Sequence, residues 1–74
     1  MAYYTTVKTV NSNGQAIKAE VTCGGKPRGF TDPNTGELSF ELRDNSSYSV
    51  SAKRSGGSAS GSVYGGKQIT LRLS

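Results

Sequence analysis

At 74 residues and 7.8 kDa the chain has room for one hydrophobic core, so residues 1–74 are read as a single domain. One cysteine, Cys23, and no histidine exclude an intrachain disulfide, a zinc site built from His and Cys, and any nucleophilic triad or dyad that needs an imidazole base. The net charge of +4 arises from nine Lys and Arg scattered among five Asp and Glu, which excludes a basic block and reads chiefly as solubility, with an anion-binding face as the alternative.

Apolar residues recur with a period near two between turn residues, which predicts an all-β sandwich or barrel of about six to seven short strands. Residues 3–10 are rich in Tyr, Thr and Val, which suit a half-buried pleated surface, and Asn13-Gly14 supplies the positive φ of the exit turn. Ile17, Ala19, Val21 and Cys23 alternate with Lys18, Glu20 and Thr22, predicting a second strand over residues 17–23 with Cys23 on its inner face as a small hydrophobe. Gly24-Gly25-Lys26-Pro27 breaks the pattern, and a short segment around Phe30 follows.

Asp32-Pro33-Asn34-Thr35-Gly36 is a turn by its chemistry. Leu38, Phe40 and Leu42 then alternate with charged and polar neighbours, as do Tyr48, Val50 and Ala52 further on. Residues 55–66 shift to Ser and Gly, yet Val63-Tyr64 and the strand pattern after them argue against a linker. Residues 58–64 are read as an edge strand, and Ile69, Leu71 and Leu73 form the last. The expected core is Phe30, Leu38, Phe40, Tyr48, Val50, Ile69 and Leu71, with the two phenylalanines as its aromatic anchors.

Catalytic and metal chemistry finds little support. Glu37 and Glu41 fall on the wet side of a strand, and the glycine pairs lack the spacing of a phosphate loop. Asp32, Asn34, Asp44 and Asn45 carry oxygen ligands but match no calcium loop and are what turns prefer. No catalytic residue, metal site, cofactor or small-molecule ligand is expected. No stretch approaches the roughly 20 apolar residues of a membrane span, and residues 1–10 lack the layout of a signal peptide. The chain fits either a compact small protein or a domain cut from a longer one.

The run Val10-Asn11-Ser12-Asn13-Gly14-Gln15-Ala16-Ile17-Lys18-Ala19-Glu20-Val21, then Phe30-Thr31-Asp32-Pro33-Asn34-Thr35-Gly36-Glu37-Leu38-Ser39-Phe40, then Ser47-Tyr48-Ser49-Val50-Ser51-Ala52 resembles the carboxypeptidase regulatory-like domain family. Asn11 stands where that family often has Asp, and Ala16 where it has Pro. The resemblance implies an Ig-like, transthyretin-like (prealbumin-like) β-sandwich of Greek-key type. It also implies a noncatalytic accessory module for protein contact or structural support, in a secreted or cell-surface parent. Two alternatives stand beside it. One is a basic single-stranded nucleic-acid binder of the OB or cold-shock type, with Tyr3, Tyr4 and Tyr64 stacking on bases and Lys53, Arg54 and Lys67 on phosphates. The other is a structural subunit that assembles through the edge strand over residues 58–64.

Overall fold

The computed structural model describes residues 3–73; Met1 and Ala2, which open the stretch read above for a leader, and Ser74 lie outside the described residues. Seven strands follow in order: β1 (Tyr3–Val10), β2 (Glu20–Cys23), β3 (Lys26–Phe30), β4 (Glu37–Leu42), β5 (Ser47–Arg54), β6 (Gly57–Tyr64) and β7 (Gln68–Arg72). They form a small β-sandwich of two sheets, ordered β4-β1-β7 and β3-β2-β5-β6. The chain changes sheet after β1, β3, β4 and β6, which gives Greek-key-type connectivity. All ladders are antiparallel except β1 with β7, whose link runs through the whole second sheet, as a parallel pair requires a crossover.

Period-two alternation sorts the side chains. Thr5, Val7 and Thr9 of β1 point inward, as do Val21 and Cys23 of β2, Leu42 of β4, Val50 and Ala52 of β5, Val63 of β6 and Leu71 of β7. Leu38, Phe40, Tyr48, Ala59 and Ile69 close the core at its margins. Burying a Val or Leu contributes roughly 1.5–3 kcal/mol, so this inner layer is the main source of stability in a chain so poor in apolar residues. Leu73, fully buried just past β7, ties the end of the described chain to the core, and its N–H donates to the Val10 carbonyl at 2.8 Å.

Two sequence expectations are corrected. Phe30 is not a core anchor: it is 57% exposed. A register shift between Val21 and Thr22, together with Gly29 at φ +117°, sets Phe30 opposite Glu20 on the outer face. There the Lys18 ammonium lies 5.1 Å from its ring centroid, a contact that favours an exposed aromatic. The second strand also begins later than predicted, at Glu20. Ile17 and Ala19 are buried as expected, but their backbone groups bond only locally, Ile17 to Thr9 of β1 beside an isolated Val10–Ala16 bridge and Ala19 to Thr31, without a continuous ladder. Alternation there marks burial without a ladder.

The turn chemistry is as the residue types dictate. Asn11 Oδ1 accepts from the N–H groups of Asn13 and Gln15 at 2.8 and 2.9 Å. Asp32 Oδ1 accepts from Asn34 N–H at 2.7 Å, and Asp44 Oδ1 accepts from Ser46 N–H at 3.0 Å. The Asn11 amide oxygen and the Asp32 and Asp44 carboxylates are occupied as turn caps, and no cluster of three or more His, Cys, Asp or Glu suited to a metal occurs among the described residues. No helix among them is long and apolar enough to cross a membrane.

Candidate interaction edge

A two-sheet sandwich leaves four edge strands, each a row of unpaired backbone groups able to accept another strand unless something guards it. Three are guarded. β3 carries Pro27, the register shift and Gly29; β4 presents the exposed carboxylates of Glu37 and Glu41; β7 presents exposed Arg72. β6 is different. Its eight residues, Gly-Ser-Ala-Ser-Gly-Ser-Val-Tyr, hold no charge and no proline, and its ladder with β5 runs without a register shift from Arg54↔Gly57 to Ser47↔Tyr64.

Which β6 groups face the open side follows from hydrogen-bond parity. Gly65 N–H donates to the Ser46 carbonyl at 3.2 Å, which makes that pair a bonded one. Bonded and non-bonded pairs alternate in an antiparallel ladder, so Val63, Gly61 and Ala59 bond to Tyr48, Val50 and Ala52. The far side of β5 agrees: Gly24 N–H reaches the Ser49 carbonyl at 2.8 Å, so Ser49 and Ser51 bond toward β2. The N–H and C=O groups of Ser58, Ser60 and Ser62 and the N–H of Tyr64 therefore point into the open edge, the Tyr64 carbonyl being taken up by the Lys67 N–H of the following turn, and all four residues are exposed.

Gly61 allows the strand to lie close on the core. A Cβ built there would sit 2.9 Å from Ile69 Cδ1 and 3.5 Å from Leu71 Cδ2, so the absent side chain lets β7 pack beneath the middle of β6. The outer face of the four-stranded sheet is a field of hydroxyls, with Thr22, Ser49, Ser51, Ser60 and Ser62 in adjoining rows. Toward one end of the strand are Lys53 and Arg54, and at the other is Tyr64, 60% exposed.

The six candidate surface residues do not form one patch. Tyr3 is half-buried beside Gly66, and the turn from Tyr64 to Lys67, closed by Lys67 N–H on the Tyr64 carbonyl at 3.0 Å, brings Tyr3, Tyr64 and Lys67 to one end. Tyr4 is 70% exposed but lies on the outer face of the other sheet, opposite Glu41. Lys53 stands six residues along β5 from the partner of Tyr64, roughly 20 Å away at strand rise. A single-strand groove that interleaves these aromatics with these cations is not assembled within one copy of the chain.

A second feature, missed by sequence reading, is a cleft of about 440 Å³ lined by Cys23, Lys26, Arg28, Glu41, Arg43, Asp44 and Tyr48 among others. The Arg28 guanidinium lies 5.3 Å from the Phe40 ring centroid, and its Nε is buried without a hydrogen-bond partner among the described residues. Burial pushes the Cys23 thiol above its ordinary value of 9.0, with Arg28 opposing the rise. The Tyr48 hydroxyl donates to Asp44 Oδ1 at 2.8 Å. That bond holds the Asp44 carboxyl below its ordinary 3.8 and lifts the Tyr48 phenol above its ordinary 10.0. The wall thus carries both signs of charge. Only the register of β3 against β2 could have located it from sequence, and a proline and a glycine hide that register.

No family model, curated protein or solved structure matches the chain.

Proposed function

We propose that this domain is a noncatalytic protein-contact and support module that engages its partner by strand addition at β6. The observation that carries the reading is the unguarded edge: three edges bear charge, proline or a register shift, while the fourth presents four outward residues with small side chains up to Tyr64. Strand addition supplies affinity through main-chain bonds, and side chains of alternate residues supply selectivity. The motif order that resembles carboxypeptidase regulatory-like domains supports an accessory role in a larger secreted or cell-surface assembly, because modules of that family support folding and protein contacts.

A capped, fluorescent Thr/Val peptide of extended preference serves as the probe. It is expected to bind the wild-type protein in polarisation measurements. Ser60→Pro weakens that binding at least about tenfold, or 1.4 kcal/mol, while leaving the fold intact, because the lost N–H faces away from β5 and proline is tolerated at such edge positions. Equal binding by wild type and Ser60→Pro, or no binding by either, contradicts the reading.

A further inference from the structure

We infer that the strand added at β6 is β6 of a second copy, paired antiparallel about a two-fold axis through Gly61; this rests on the edge reading above. Parity restricts the possibilities. A residue whose backbone faces outward must meet an outward residue of the partner strand, so Ser58, Ser60, Ser62 and Tyr64 can pair only among themselves. Centring the axis on Gly61 sets Ser58 against Tyr64 of the second copy, and Ser60 against Ser62. All four outward residues of each copy then face a partner, with Ser60 and Ser62 exchanging both bonds and Tyr64 donating its N–H to the Ser58 carbonyl while its own carbonyl stays with Lys67. Centring it on Ser60 strands Tyr64 beside the Gly56 turn and leaves a bonded set of only three, Ser58, Ser60 and Ser62, within β6.

The side chains agree with the Gly61 axis. The protein carries a net charge of +4, so two copies repel through most of their surfaces, but β6 is free of charge and brings none to its mate. In the paired sheet Lys53, Ser58 and the second copy's Tyr64 occupy one row on the outer face, because Lys53 faces Ser58 across the β5–β6 ladder. The lysine and the tyrosine are separated by two strand spacings, roughly 10 Å between Cα atoms, with only a serine hydroxymethyl between them. The ammonium can reach the ring across it. The two-fold axis makes this contact twice, and it gives the exposed Tyr64 and the distant Lys53 a common role that neither has in a single copy. An isologous contact of this kind closes on itself as a dimer and does not propagate.

Sedimentation velocity at protein concentrations up to about 1 mM tests the pairing, with circular dichroism as the check on folding. The expected result for the wild-type chain is a monomer–dimer equilibrium, in keeping with a small interface. Ser60→Lys combined with Ser62→Lys places like charges opposite one another and yields monomer. Ser60→Lys combined with Ser62→Glu places opposite charges in both cross-strand pairs and restores the dimer at wild-type strength or better. About the alternative axis on Ser60, the same two substitutions set lysine against lysine, so a monomer there overturns the Gly61 register. Tyr64→Ala removes both copies of the contact and weakens dimerisation about tenfold, as expected for two exposed cation–π contacts. A wild-type chain that stays monomeric throughout overturns the second-copy assignment. If the Thr/Val peptide still binds such a monomer, the edge reading stands without it; if the peptide also fails, both fall.

Discussion

Thr9 and Thr31, twenty-two residues apart and both fully enclosed, meet through their hydroxyl oxygens at 2.8 Å. The shortest contacts form a chain: Ala19 N–H donates to Thr31 Oγ1 at 2.8 Å, the Thr31 hydroxyl to Thr9 Oγ1, and the Thr9 hydroxyl to the Ile17 carbonyl at 2.7 Å. Each hydroxyl donates once, and the backbone of residues 17–19 finds here the partners that a ladder would otherwise provide. Thr31→Val keeps the shape but leaves the Ala19 amide buried without an acceptor. It is expected to cost about 1–3 kcal/mol in urea denaturation, with Thr31→Ser recovering most of the loss.

Gly36 guards the same corner from the other side. Its φ of +74° is one that glycine adopts freely, and a Cβ there would lie 2.5 Å from the Thr9 carbonyl oxygen and 3.1 Å from Ala16 Cβ. The obstacle is backbone, which cannot swing aside as a flexible side chain does. Gly36→Ala should therefore destabilise by about 1–3 kcal/mol in the same denaturation. Gly14→Ala, which meets nothing within 4 Å at a similar φ of +83°, should lose less, since it bears the conformational strain alone.

The bond between Tyr48 and Asp44 sets a pH window. Asp44 is depressed below 3.8 in the folded protein, so its contribution is complete above the unfolded value and is lost as pH falls through the folded one. Tyr48 is raised above 10.0, so its contribution is complete below the unfolded value and is lost as pH rises through the folded one. Tyr48→Phe should flatten both limbs of the Tm-versus-pH profile and return the Asp44 carboxyl resonance toward an ordinary titration. An unchanged Asp44 titration in that variant would contradict the assignment.

Phe30 illustrates how far the sequence could be read. Clean alternation identified the inner residues of β4, β5 and β7, because regular ladders impose a period of two. It failed for Phe30, where the register shift opposite Gly29 turns the side chain outward, and it could not separate a buried segment from a paired strand at Ile17 and Ala19. Residues 58–64 were legible as an edge because their glycines and serines suit a weakly packed strand. Which of their backbone groups face outward was not legible, since that depends on one turn bond between Gly65 and Ser46. Phe30→Ala should accordingly change stability by no more than about 0.5 kcal/mol, whereas Val50→Ala in the inner layer should cost about 1–3 kcal/mol.

Residue-resolved amide exchange in dilute protein, alone and with the Thr/Val peptide, reports whether β6 is a contact edge with alternate residues turned outward. Slow exchange is expected at Ala59, Gly61 and Val63 and fast exchange at Ser58, Ser60, Ser62 and Tyr64, with the fast set alone becoming protected once the peptide is added. Exchange that does not alternate along the strand, or fast amides that stay fast beside saturating peptide while another edge becomes protected, would contradict a contact edge at β6.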